Sequence, residues 1–235
     1  MGKHFDRAQI LIEQNRYDLA EIELRKEIAE NPDLDRSYGT LALCLINDRK
    51  LTSETLELIN YALSLDAGND WNHYLLAIYW YYRNDCDRAI VAIQIAINLN
   101  SNSYRYFYVL ASALWQKGLR NYAICGGGYG LSYFGDRYFI RLFVKPVFST
   151  ITKSLTLNPN FLPARNLLTD FLFKTGRNQS AIDNINASLY LDPNNSFTYA
   201  LQGYRFNNLG RYSEAIDSFK LSLRIDPNSD TARTG

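Results

Sequence analysis

SFTYALQGYRFNNLGRYSEAIDSFKLSLRIDP, residues Ser196 to Pro227, is the stretch whose reading decides the fold. Gly203 and Phe206 share one face of a first helical stretch. Ala215, Phe219, Ser222 and Leu223 share one face of a second. Between them lies Leu209-Gly210-Arg211, and glycine suits a helix end because it takes positive φ without steric cost. Asp226 before Pro227 closes the second stretch, since the proline ring pushes the preceding residue out of the α region. Pro159, Pro193 and Pro227 lie 34 residues apart and follow Asn158, Asp192 and Asp226. A period of this size marks an array of stacked helical pairs.

These residues resemble the tetratricopeptide repeat, a 34-residue helix–turn–helix. Its signature places are a small residue at 8, an aromatic or Leu at 11, Ala at 20, an apolar residue at 24, a small one at 27 and Pro at 32. Gly203, Phe206, Ala215, Phe219, Ser222 and Pro227 fill all six. The resemblance implies an all-α, right-handed α-solenoid of six repeats, or seven. A single array is expected over residues 1–229, followed by a frayed tail at 230–235.

Working outward, repeat one (1–34) carries Ala8, Leu11, Tyr17, Ala20, Leu24 and Pro32, with Asn15 where Gly210 sits later. Repeat two (35–69) carries Leu41, Ala42, Leu45, Leu56, Ile59, Ala62 and Leu63, with one extra residue in its turn at 48–51. Thr55 and Ala67 depart from the expected Ala and Pro. Repeat three (70–103) has Leu76, Ala77, Trp80, Asn84, Ala89, Ile93 and Ala96, with Ser101 for Pro. Repeat four starts at Tyr104 and fits through Leu110, Ala111, Leu114, Gly118, Ala123 and Ile124, then breaks at Cys125–Gly130.

Register returns at Ile151, Ser154 and Pro159. Two parses of 104–161 stay open: an insertion into the second helix of repeat four, or a shortened repeat followed by a divergent one at 128–161. Pro146 is tolerable in a helix's first turn, and part of 131–144 is expected to be helical. Repeats five (162–195) and six (196–229) are regular. With no amphipathic helix following, Phe219 or Leu221 is expected to face water or another chain.

Composition excludes more than it names. The 235 residues carry net charge +1, which offers no general attraction to nucleic acid or anionic lipid. Residues 1–69 hold 8 Lys/Arg and 13 Asp/Glu, so the sign is uneven along the chain. Cys44, Cys86 and Cys125 stand singly, as in a chain with reduced thiols, and a cytoplasmic location is expected. No apolar run reaches the roughly 18 residues a membrane helix needs.

Gly126–Gly130 is not a phosphate loop, because no Gly-Lys-Ser/Thr follows it and no strand precedes it. His4 and His73 are isolated, so no metal site is expected. No nucleophile–base arrangement is recognisable either; neither an enzyme nor a cofactor is expected.

The resemblance places binding residues at positions 2, 5, 9, 12 and 13 of each first helix, lining a concave groove. Those are Trp71, Tyr74, Ile78, Tyr81 and Tyr82 in repeat three, and Arg105, Tyr108, Ser112 and Trp115 in repeat four. Asn166 and Asp170 follow in repeat five and Tyr204 in repeat six. Tyr and Trp are enriched in binding hot spots. These rings either anchor a partner or are covered by the aromatic segment 129–144.

The Lys/Asn carboxylate clamp of one subgroup is absent: positions 5 and 9 hold Phe5 and Gln9, Tyr74 and Ile78, Tyr108 and Ser112. The expected function is a protein–protein interaction scaffold for a protein or peptide segment. The alternative is self-assembly through the last repeat or segment 126–146, and RNA binding is a third reading. No nucleic-acid partner and no membrane span are expected.

Overall fold

The computed structural model describes residues 2–124 and 143–234, and all regular structure among them is helical. The chain divides into two compact units, Met1–Gly130 and Leu131–Gly235. Unit one holds α1 (Lys3–Glu13), α2 (Tyr17–Glu30), α3 (Asp35–Asn47), α4 (Ser53–Leu65), α5 (Asp70–Tyr82), α6 (Cys86–Leu99) and α7 (Tyr104–Ile124). Unit two holds α8 (Lys145–Leu157), α9 (Leu162–Lys174), α10 (Asn178–Leu191), α11 (Ser196–Asn208), α12 (Tyr212–Ile225) and α13 (Asp230–Arg233). Within each unit, successive helices pair as antiparallel hairpins and each hairpin stacks on the next. The fold class is an all-α helical repeat.

The small residues bring the paired helices together. Ala8, Ala20, Ala42, Ala77, Ala89, Ala111 and Ala181 are all fully buried. At Gly203 even a methyl group would overlap the Phe219 ring, whose nearest atoms lie 2.7 Å from the place a Cβ would take. Close approach of this kind gives each hairpin interior-like packing although it has only two helices.

Five hairpin turns share one geometry. Each contains one residue with positive φ: Asn15 (57°), Arg49 (58°), Asn84 (64°), Gly176 (77°) and Gly210 (73°). The next amide then donates back across the helix end, from Arg16 to Leu11, Lys50 to Leu45, Asp85 to Trp80, Arg177 to Leu172 and Arg211 to Phe206, at 2.8–2.9 Å. Such bonds satisfy carbonyls that the helix itself leaves open. The extra residue in the α3–α4 turn explains Thr55. Its hydroxyl donates to the Lys50 carbonyl, so a buried threonine is satisfied where other repeats hold alanine.

Between hairpins an Asn or Asp side chain folds the backbone into an Asx turn. Asp66 accepts from the Gly68 amide, Asn100 from Asn102, Asn158 from Asn160, Asp192 from Asn194 and Asp226 from Asn228. This bond stops the chain with or without proline. It accounts for the tolerance of Ala67 and Ser101 at the proline position.

Two expectations change, and of the pair Phe219 and Leu221 it is Leu221 that is exposed. Gly118 makes no turn: α7 continues through it, with Gly118 buried inside a 21-residue helix. The side chains around it hold that course. Gln116 donates to Asn84 Oδ1 at 2.6 Å and Arg120 to the Asn84 carbonyl, both on the preceding hairpin's turn, and Lys117 pairs with Asp87 at the start of α6. The C-terminal residues are not frayed through to the end: α13 forms and buries Ala232 against Phe206 and Phe219. Phe219 is thereby 8% exposed rather than presented to water, while Leu221 remains exposed.

Pro146 does sit in the first turn of α8, which buries Val147, Ile151 and Ser154. Phe143 and Val144 form a helical turn leading into it. The rest of 125–142, and with it the choice between the two parses, lies outside the described residues.

Candidate functional site: an aromatic face on α5 and α7

α5 reads DWNHYLLAIYWYY, so its inward stripe of Asn72, Leu75, Ala77 and Tyr79 leaves a second, aromatic stripe on another face. Asn69 starts the helix by accepting from the Trp71 and Asn72 amides, an N-cap that fixes where the stripe begins. Trp71 and Tyr74 rings lie 4.9 Å apart, and Tyr74 meets Tyr106 of α7 at 5.1 Å. Tyr81 and Tyr82 follow two turns on from Tyr74, 5.6 Å apart. Tyr74, Ile78 and Tyr108 flank a core of Ala77, Tyr106 and Val109 and are themselves half-buried.

One polar bond holds α7 beside α5 and a second ties in the end of α6: Asp70 accepts from the Tyr106 hydroxyl at 2.7 Å and from Asn100 at 2.9 Å. Burial raises the Tyr74 hydroxyl to about 12, with the nearby Arg105 guanidinium opposing the rise. Tyr81 and Tyr108 also move up, again chiefly through burial. All three are therefore neutral donors at physiological pH.

Among the expected groove residues, Trp71, Tyr74, Ile78, Tyr81, Tyr82, Arg105 and Tyr108 come together here. Tyr82 is 60% exposed, and Arg105 is exposed. Trp115 and Ser112 belong to the same helix but are buried, at 4% and 5%, and Ser112 donates to the Tyr108 carbonyl. Trp115 therefore corrects the expectation of an open anchor.

Two of the three unit-two residues, Asp170 and Tyr204, are committed to other contacts. Asp170 pairs with Arg205 at 3.1 Å and with Lys174 at 3.8 Å. Asn166 keeps a buried Oδ1 without a partner. Tyr204 stacks edge-on against Phe219 at 5.2 Å and meets Thr234 Oγ1 at 2.8 Å, so it anchors the end of the chain.

Arg36 was not among the expected residues, yet it is the second residue of α3, as Trp71 is of α5 and Arg105 of α7. Carrying the groove positions into repeat two would have found it.

Residues 198–229 match the tetratricopeptide repeat model. The fold agrees with that of several solved structures. YrrB, described as a TPR protein with an unusual peptide-binding site, aligns at TM-score 0.57 and 18% identity, covering 90% of this chain and 96% of its own. PilF of Pseudomonas aeruginosa aligns at 0.71 and 15%, covering 98% and 94%. The chain has the tetratricopeptide-repeat fold, and residues 198–229 belong to that family.

A third structural neighbour is the human IFIT1 dimer with PPP-AAAA, at TM-score 0.77 and 16% identity. It covers 98% of this chain, which spans 52% of IFIT1. No curated protein sequence matches.

Within this tetratricopeptide framework the described residues contain no cluster of three or more metal-ligating side chains and no helix able to cross a membrane. Cys44 and Cys86 are free and buried, and burial lifts the Cys44 thiol to about 12, out of the reactive range.

Proposed function

We propose that the chain is a non-catalytic interaction scaffold which holds a segment of a partner protein against the aromatic face of α5 and α7. One observation carries this: Trp71, Tyr74, Tyr81, Tyr82 and Tyr108 are gathered on one face, and Tyr82 remains largely in water. Half-open Tyr and Trp rings supply large contact area at small entropic cost. The peptide-binding site named for YrrB supports the reading by analogy of fold. Self-assembly through the last repeat loses much of its premise, since α13 covers Phe219. The buried free thiols suit a reducing compartment, and a cytoplasmic location is part of the proposal.

The test is the double variant Tyr74→Ala with Tyr108→Ala, checked for native helicity by circular dichroism. A photo-crosslinker placed at position 82 accompanies it. Loss of partner capture, together with crosslinks from position 82, is the expected result. Unchanged capture by the folded double variant removes the face from the mechanism.

A further inference from the structure

We infer that unit one carries a separate docking site, on α3 and α4, which takes an arginine side chain of a partner protein between Tyr38, Tyr61 and Glu57. It uses none of the rings of α5 or α7, so it does not rest on the scaffold reading above. The cleft measures about 370 Å³, enough for a long side chain, and is lined by Tyr38, Glu54, Glu57, Leu58 and Tyr61. On α4, Glu54, Leu58 and Tyr61 recur at helical spacing with Glu57 beside them, so all four share one face.

The chain itself shows what rings and carboxylates hold when they meet in this way. Arg88 lies 4.5 Å from the Trp80 ring and 3.5 Å from Asp85. Arg205 lies 4.6 Å from the Phe173 ring and donates to Asp170 at 3.1 Å. Arg211 lies 4.4 Å from the Phe206 ring and pairs with Glu214. In each case a guanidinium covers a ring while a carboxylate takes its N–H groups. At the cleft on α3 and α4 the rings and the carboxylates are present, yet no cation among the described residues lies over Tyr38 or Tyr61.

The two rings are already in place. Tyr38 donates to the Pro32 carbonyl at 2.9 Å, and its ring meets Tyr61 edge-on at 4.6 Å. Tyr38 is thereby fixed, while Tyr61 stays 44% exposed and leaves area for a guanidinium to cover. Burial raises the Tyr38 hydroxyl above its ordinary range, and Tyr61 and the Asp33 carboxylate raise it further, so this phenol stays neutral.

The charge balance here is negative. Arg25 of α2 is shared between Glu21 at 2.8 Å and Glu54 at 2.7 Å, and Lys50 between the same Glu21 and Asp48. Three carboxylates thus face two cations in that network. Glu57 and Asp33 add two more charges and make no ion pair among the described residues. The other cations of these elements do not offset them: Lys26 pairs with Glu23, Arg36 lies over the Phe5 ring, Arg49 makes no ion pair, and α4 contains no Lys or Arg. Arginine meets both demands of the cleft, because its planar fork stacks on a ring and donates to a carboxylate together. A divalent metal would need more oxygens than two glutamates supply, and the described residues hold no group of three metal-ligating side chains.

The experiment pans a random dodecamer peptide display library on the full chain and measures selected peptides by fluorescence anisotropy. Arginine should be enriched, and bound peptide should shift the amide resonances of Tyr38 and of residues 54–61. Glu57→Gln and Tyr61→Leu should each weaken binding about tenfold. Both side chains are exposed, so both variants are expected to keep the native thermal unfolding midpoint. Replacing the peptide's arginine with citrulline, its neutral counterpart, should cost about tenfold as well.

A loss on Glu57→Gln with none on Tyr61→Leu would reduce the effect to diffuse charge and overturn the site. Arginine peptides that shift only α5 and α7, or a library yielding no arginine-bearing peptide, would overturn it too. A dimer in sedimentation that Tyr61→Leu dissolves would replace the partner protein with a second copy of this chain.

Discussion

The α11–α12 hairpin and the long helix α7 carry the same repeat pattern up to the same point, then diverge. In the hairpin the chain reverses at Gly210, and Phe219 comes back to lie over Gly203. In α7 the corresponding Gly118 is simply another helical residue. Elsewhere the turn forms on Arg49, a residue poorly suited to positive φ. Glycine is thus neither sufficient for the reversal nor required by it. What decides is where the following side chains find partners: Phe219 and Ala215 do so in their own hairpin, whereas Arg120 does so on Asn84 of the hairpin before.

The largest effect that would break this comparison lies at the Gly203–Phe219 contact. Phe219→Ala is expected to cost about 4 kcal/mol by emptying the hairpin core, read from denaturant unfolding of the full chain. Gly203→Ala in the same assay should cost about 2 kcal/mol, because the ring must move to admit a methyl group. A neutral Gly203→Ala would show that the close approach is not what holds α11 to α12.

A smaller pair sharpens the turn argument. Nothing lies within 4 Å of a Cβ at Gly210, so Gly210→Ala should cost about 1 kcal/mol through backbone strain alone. Arg49→Gly should do the reverse and stabilise by about 1 kcal/mol. Differential scanning calorimetry on both variants checks the opposite signs. The smallest effect belongs to α7: Arg120→Ala should lose roughly 0.5 kcal/mol. Hydrogen exchange should then rise at the amides of 119–124 while those of 104–117 stay protected.

Much of this was readable from residue types. Small residues at Ala8, Ala77, Ala111 and Gly203 announce close helix pairs, and Asp192 and Asp226 before proline announce helix ends. The aromatic stripe on α5 was legible through its spacing. Trp115 was misplaced because position along a helix does not reveal what covers it. Arg36 escaped notice because the groove positions were not carried into repeat two, where it is the second residue of α3. The short helix α13 was invisible for a related reason: four residues have no periodicity, and only Phe206 and Phe219 give Ala232 somewhere to go.

By itself the sequence determined the repeat, its period and the hairpins, since local propensity and side-chain volume act over a few residues and recur every 34. Tertiary structure alone decided that α7 continues through Gly118, that Trp115 is covered, and that the rings of α5 meet those of α7. Those outcomes depend on contacts between residues 30 or more positions apart, as between Asn84 and Arg120 or Asp70 and Tyr106. A linear pattern holds no record of which distant polar groups will satisfy one another.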